Sequence, residues 1–140
     1  MSSTQIFWPA FAQVILTMVV MVAMGKARSA SVRARKQSLN DIAMNRPEDW
    51  DEEATKTANN FKNQFEMPVL FFAAIGFALA FRMVDPVLVG LAWLFVIARA
   101  VQTTIHIGNN QVQQRAIAYL VGVAALLGMW LILAFRIGSA

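Results

Sequence analysis

The stretch NNFKNQFEMPVLFFAAIGFALAF, residues 59–81, opens as a polar run around Asn63 and Glu66 and ends as an almost unbroken apolar one. At about 1.5 Å per residue the apolar part, residues 67–81, covers only about 22 Å, short of the roughly 30 Å of a bilayer core. Residues 61–66 must therefore complete any crossing, which places a carboxylate and several amides at membrane depth. Ionisable groups there face the interior of a bundle and mark a ligand or ion pathway. Pro68 withholds a backbone donor from the Gln64 carbonyl, so a kink is expected beside Glu66.

Three other segments approach or reach spanning length: residues 6–24, 87–98 with an extension to 107, and 116–135. The chain is 58% hydrophobic, 14% charged and has a mean hydropathy of +0.53, a balance that a soluble domain of 140 residues rarely shows. Helices satisfy their own backbone groups in hydrocarbon, so the expected fold is all-α, one four-helix transmembrane bundle filling residues 1–140. The first apolar run has the wrong flanks for a cleaved signal, because MSSTQ carries no positive charge while Lys26, Arg28, Arg33, Arg35 and Lys36 follow the run. The same basic residues hold their side in the cytoplasm by the positive-inside rule, leaving the N- and C-termini outside.

A net charge of +4 and a pI near 10.1 do not imply nucleic acid here, since the basic residues gather at a membrane edge without a nucleic-acid module. Anionic lipid headgroups are the expected partner. With no cysteine the chain has no thiol nucleophile, disulfide framework or thiolate metal site. One histidine with Glu66 and asparagines is a poor metal set, so none is expected. Two connections are short: VDPV, where Asp85 caps and Pro86 starts the next helix, and GNNQVQQ, where Gly108 ends one. In the longer first connection, Pro47 and the acidic residues after it announce a turn and a helix start. Gly76, Gly90, Gly122 and Gly128 read as packing positions.

Helical spacing sets Asn59, Asn63 and Glu66 on one face of the second span, Arg99, Gln102 and His106 on one face of the third, and Arg115 one turn before Tyr119 on the fourth. All fall in the half of the bundle at the basic edge. The plain alternative is a buried network in which Glu66 neutralises Arg99 or Arg115. Two arginines against one acid, with Lys62 and Arg28 at a similar level, suit a zwitterionic or polyanionic guest. His106 and Tyr119 are read first as hydrogen-bonding residues, and Trp8, Trp93 and Trp130 as packing or interfacial anchors.

These residues resemble the MAPEG family, membrane-associated proteins in eicosanoid and glutathione metabolism, over nearly the whole length and most closely a bacterial-type member. The resemblance rests on N-x-x-E at Asn63–Glu66, followed by Pro68, and on Arg99, His106, Arg115 and Tyr119; one branch carries tyrosine at the His106 position. It implies a homotrimer with glutathione sites between subunits. It further implies Arg115 as the arginine stabilising a glutathione thiolate, Tyr119 beside the tripeptide, Asn63 and Glu66 as ligand-binding positions and Arg28 in reach of a glutathione carboxylate.

Departures accompany it. Asn59 and Lys62 stand where the family's glutathione enzymes carry arginines, Gln102 stands for a histidine and Ala116 for a serine. The implied activity is a glutathione- or related thiol-dependent transferase, peroxidase or isomerase acting on a lipophilic electrophile in a bacterial inner membrane. The alternatives are a non-catalytic lipid-binding or partner-presenting protein and, less favoured, an ion pathway along Glu66 and His106.

Overall fold

The computed structural model describes residues 3–139, and every regular element within them is helical. A 3-10 turn, Ser3–Ile6, leads into α1 (Phe7–Ala34); another, Pro47–Asp49, precedes α2 (Glu52–Asn63), followed by α3 (Met67–Ala80), α4 (Pro86–Ile107) and α5 (Val112–Gly138). Four stretches are long and apolar enough to cross a membrane: Thr4–Ala34, Glu52–Ala80, Pro86–Ile107 and Val112–Gly138. The chain is thus an all-α, multi-pass membrane protein. Large apolar side chains such as Leu120, Leu131 and Phe135 point outward, as lipid rather than water requires.

Two boundaries differ from the sequence reading. α1 runs beyond residue 24 to Ala34, because GKARSASVRA contains nothing that stops a helix until Lys36 enters the left-handed region at φ 52°. The kink expected at Pro68 is a full interruption. α2 ends at Asn63, Glu66 adopts φ −94° and ψ −95°, and α3 restarts with Pro68 in its first turn. The pyrrolidine ring would meet the carbonyl four residues back, so the ladder breaks there rather than bending.

From the break to the α3–α4 turn the bundle is apolar. Phe71, Ala74 and Ala78 of α3 pack with Leu88, Ala92 and Phe95 of α4 and with Ala125, Met129 and Leu133 of α5. The Phe71 and Phe95 rings stack with centroids 4.5 Å apart. α4 and α5 lie closest, and a Cβ at Gly122 would stand 3.6 Å from the Ala98 Cβ, one at Gly128 3.4 Å from Leu91 Cδ1. Gly76 and Gly90 meet nothing within 4 Å, so only the α5 pair serves packing within the described chain.

The turn itself is pinned. Asp85 Oδ1 accepts from the Leu88 N–H at 2.8 Å, while Arg136 near the end of α5 pairs with Asp85 Oδ2 and donates to the Met83 carbonyl at 3.3 Å. Burial pushes the Asp85 carboxyl up. The hydrogen bonds from Leu88, Arg136 and Val87 and the Arg136 charge outweigh it and hold the group below its ordinary value.

Candidate functional site

Below the break the interior changes character. α2 carries two amide stripes, and they face different ways. Asn60 and Gln64, one turn apart, turn into the bundle with Gln13 of α1 and Thr103 of α4, and all four are buried. Gln13 Nε2 donates to Gln64 Oε1 at 3.0 Å; Gln64 Nε2 reaches Asn60 Oδ1 and Thr103 Oγ1, each at 3.3 Å; Thr103 Oγ1 donates to Asn60 Oδ1 at 3.4 Å. This clasp ties three spans together at the break. Among the described residues Gln13 Oε1 and Asn60 Nδ2 find no partner in their buried positions. A buried unpartnered amide atom is costly, so these two atoms offset part of what the clasp contributes.

The other stripe opens outward. Asn59, Asn63 and Glu66 line a cavity of about 460 Å3 with His106, Arg115 and Tyr119, and with Gln102, Val112 and Ala116 completing its wall. That volume falls in the range of about 300–1,000 Å3 typical of small-molecule sites. Arg115 is held at the start of α5 by Nη1 donating to Asn110 Oδ1 at 2.7 Å. Asn110 can do this because it ends the α4–α5 turn in the left-handed region, φ 51°, which asparagine tolerates. His106 lines the cavity, and its buried Nδ1 has no partner among the described residues.

Three of the expected site residues lie elsewhere. Arg99 is buried behind the cavity wall, where its Nη1 donates to Gln102 Oε1 at 2.5 Å and its Nη2 to the Asn63 carbonyl at 2.7 Å. The break makes this possible, since a carbonyl at a helix end has no intrahelical partner. Arg99 thus orients Gln102 and the end of α2 without lining the cavity. Arg28 and Lys62 line a smaller neighbouring cavity of about 110 Å3, which shares Asn59 with the larger one. There the Arg28 guanidinium lies 4.6 Å from the Trp50 ring centroid and donates through Nη2 to Asn45 Oδ1 at 3.2 Å.

Glu66 also departs from expectation. It is exposed at the break, facing the cavity, and among the described residues it makes no ion pair with Arg99 or Arg115. The break swings residue 66 outward while the neighbouring carbonyl takes Arg99. Glu66 thus makes no direct ion pair of the kind the plain alternative needs, and its carboxylate faces the cavity.

Sequence reasoning missed Gln13, Asn60, Gln64, Thr103 and Trp50. Gln13 was readable as the one amide inside an otherwise apolar first span. Asn60 and Gln64 were masked by the Asn59–Asn63 stripe beside them, and Trp50 offered no periodic signal.

Comparisons with curated proteins and with solved structures each find no match. The sequence model of the MAPEG family matches residues 6–135, which takes in nearly all of the four spans and every residue lining the larger cavity. By that match, and with the four-span fold it requires in place, the chain belongs to the MAPEG family.

Proposed function

We propose that the chain is an integral-membrane enzyme that uses glutathione or a related thiol to conjugate, isomerise or reduce a lipophilic electrophile. The family includes glutathione transferases, peroxidases and isomerases. The observation that carries the reading is the convergence of Arg115, Glu66, Asn59, Asn63 and His106 from three spans on one cavity. Those groups fit the tripeptide's chemistry: a carboxylate for an ammonium, amides for peptide groups and the Arg115 guanidinium for negative charge.

Bound there, glutathione supplies a nucleophilic sulfur to a chain that has no thiol of its own. Arg115 favours negative charge beside it, because a guanidinium in a water-poor site stabilises thiolate over thiol and lowers a pKa that starts near about 8.5. The same charge stabilises an oxyanion developing on an attacked epoxide or peroxide. Tyr119, one turn on, lines the same space, and Arg28 and Lys62 in the adjoining cavity extend the cationic surface past Asn59. A homotrimer with its basic edge toward the cytoplasm, in a bacterial inner membrane, is part of the proposal.

The test is ultraviolet difference absorbance of the purified protein titrated with glutathione, together with thiol-dependent turnover. A thiolate band that Arg115→Ala abolishes, with turnover falling about 100-fold or more as for loss of an oxyanion donor, is expected. Equal rates for the two proteins remove Arg115 from the mechanism. Absence of both band and calorimetric binding would instead support a non-catalytic lipid-binding member of the fold.

A further inference from the structure

From Lys26 at the end of α1 to Glu53 at the start of α2 the chain carries six of its eight acidic residues and six of its twelve basic ones, yet there the two signs do not meet. Asp41 accepts from the Ser38 N–H and hydroxyl at 2.7 and 2.8 Å, Asp49 from the Arg46 N–H at 2.7 Å, and Asp51 from the Ala54 N–H at 2.9 Å, while Glu52 pairs with Lys56 at 2.7 Å. These acids are committed to turns and to the start of α2. Among the described residues no ion pair forms with Lys26, Arg28, Arg33, Arg35 or Lys36. The basic cluster at the end of α1 is left unneutralised.

Its height matters. α1 is 28 residues long, about 42 Å, against roughly 30 Å of hydrocarbon, so its last turns stand among headgroups. At that level the connection folds back on the helix. Val32, Leu39, Ile42 and Trp50 form an apolar groove of about 450 Å3 with Arg28 and Arg33 on its rim. Arg33 spends only its Nε on its own helix, donating to the Ser29 carbonyl at 3.4 Å. Leu39 is 79% exposed and Met44 73%, although neither belongs to a span. Apolar surface beside arginines that have no acidic partner among the described residues, at headgroup height, matches one kind of molecule, with a phosphate at one end and an acyl chain at the other.

We propose that this groove binds an anionic phospholipid of the leaflet at the basic edge, its phosphate on Arg33 and Arg28 and its upper acyl chain against Val32, Leu39, Ile42 and Trp50. Arg28 and Trp50 also line the smaller cavity that shares Asn59 with the larger one. The stacked pair is therefore the wall between the lipid groove and the thiol-site side of the bundle. The proposal does not depend on any catalytic activity.

The experiment uses the full chain in nanodiscs containing phosphatidylcholine or phosphatidylglycerol brominated high on the acyl chain. Quenching of Trp50 is taken as the difference between the native protein and Trp50→Phe. Phosphatidylglycerol is expected to quench at about fivefold lower mole fraction for each basic residue engaged. Arg33→Gln should remove about one such factor, and 1 M salt, where the Debye length is about 3 Å, should flatten the preference in the unmodified chain. Equal quenching by the two lipids would overturn the proposal, as would a preference unchanged by both Arg33→Gln and salt. Displacement of the brominated lipid by soluble glycerol phosphate would overturn it in favour of a free-anion site. The salt arm keeps the test decisive if Arg33→Gln does not fold.

Discussion

The two halves of the bundle are built on opposite principles. Between the helix break and the α3–α4 turn, the core is Phe71, Phe95, Leu88, Met129 and small residues packed without a polar side chain, closed at the end by Asp85 and Arg136. Between the break and the basic edge, the interior holds Gln13, Asn60, Gln64, Arg99, Gln102, Thr103 and His106, three of them with an unpartnered atom besides Arg99 Nε. Hydrocarbon penalises such groups, and nothing about crossing a membrane requires them. The apolar half is sufficient as an anchor. The polar half has to be accounted for by what its cavity does, and the clasp at the break is where one half hands over to the other.

If that division is real, damage on one side should leave the other intact. Phe95→Ala removes the stack with Phe71 and opens a cavity in the apolar half. The expected cost is about 3 kcal/mol, at the low end for loss of a buried phenyl ring because separated helices keep lipid contacts. It is measured by unfolding in a denaturing detergent, and glutathione affinity of the folded fraction should not change. A parallel fall in affinity would show the halves to be coupled.

Gln64→Leu attacks the boundary. It strips Gln13, Asn60 and Thr103 of a shared partner and should cost about 1–2 kcal/mol, the upper range for interhelical hydrogen bonds in membranes. Unlike Phe95→Ala it should also weaken calorimetric binding of glutathione, because the break positions Glu66 and the Asn63 carbonyl. Lost stability with unaltered affinity would make the clasp a fastening and nothing more.

The smallest effect belongs to the closed end. Because the folded Asp85 carboxyl titrates below its unfolded value, the pairing with Arg136 contributes fully above the ordinary carboxylate range and is lost as pH falls through the folded value. A contribution of about 0.5–1 kcal/mol is expected from this partly exposed pair. Asp85→Asn should flatten the acid limb of a thermal-melting profile, with glutathione binding at neutral pH unaffected. An acid limb identical to that of the unmodified chain would assign the pH sensitivity to other carboxylates.

How much of this was legible follows the same division. Apolar run lengths, the Asp85–Pro86 start and the Gly108 stop are local signals, and α3, α4 and α5 form where they indicated. The stripe of Asn59, Asn63 and Glu66 needed only helical spacing to be grouped, and the structure lays it along one cavity. What spacing could not convey was which of two adjacent amide stripes looks inward, since Asn59–Asn63 and Asn60–Gln64 have identical periodicity. That choice depends on Gln13 and Thr103, brought in from other spans by tertiary packing. Arg99 was misplaced for a related reason: whether it reached the cavity or the end of α2 depended on a carbonyl freed by the break.

That interruption has a consequence for how the molecule tolerates change. The Gln64 and Phe65 N–H groups bond only three residues back, and the Val69 N–H reaches the Glu66 carbonyl at 3.3 Å as the ladder restarts. In a continuous helix, one inserted residue would rotate everything beyond it by about 100° and scramble every face. Here the discontinuity insulates phase. The ligand-facing segment can be lengthened, shortened or retuned while the lipid-embedded segment keeps its own angular register, so one anchoring scaffold can carry many differently shaped guest sites.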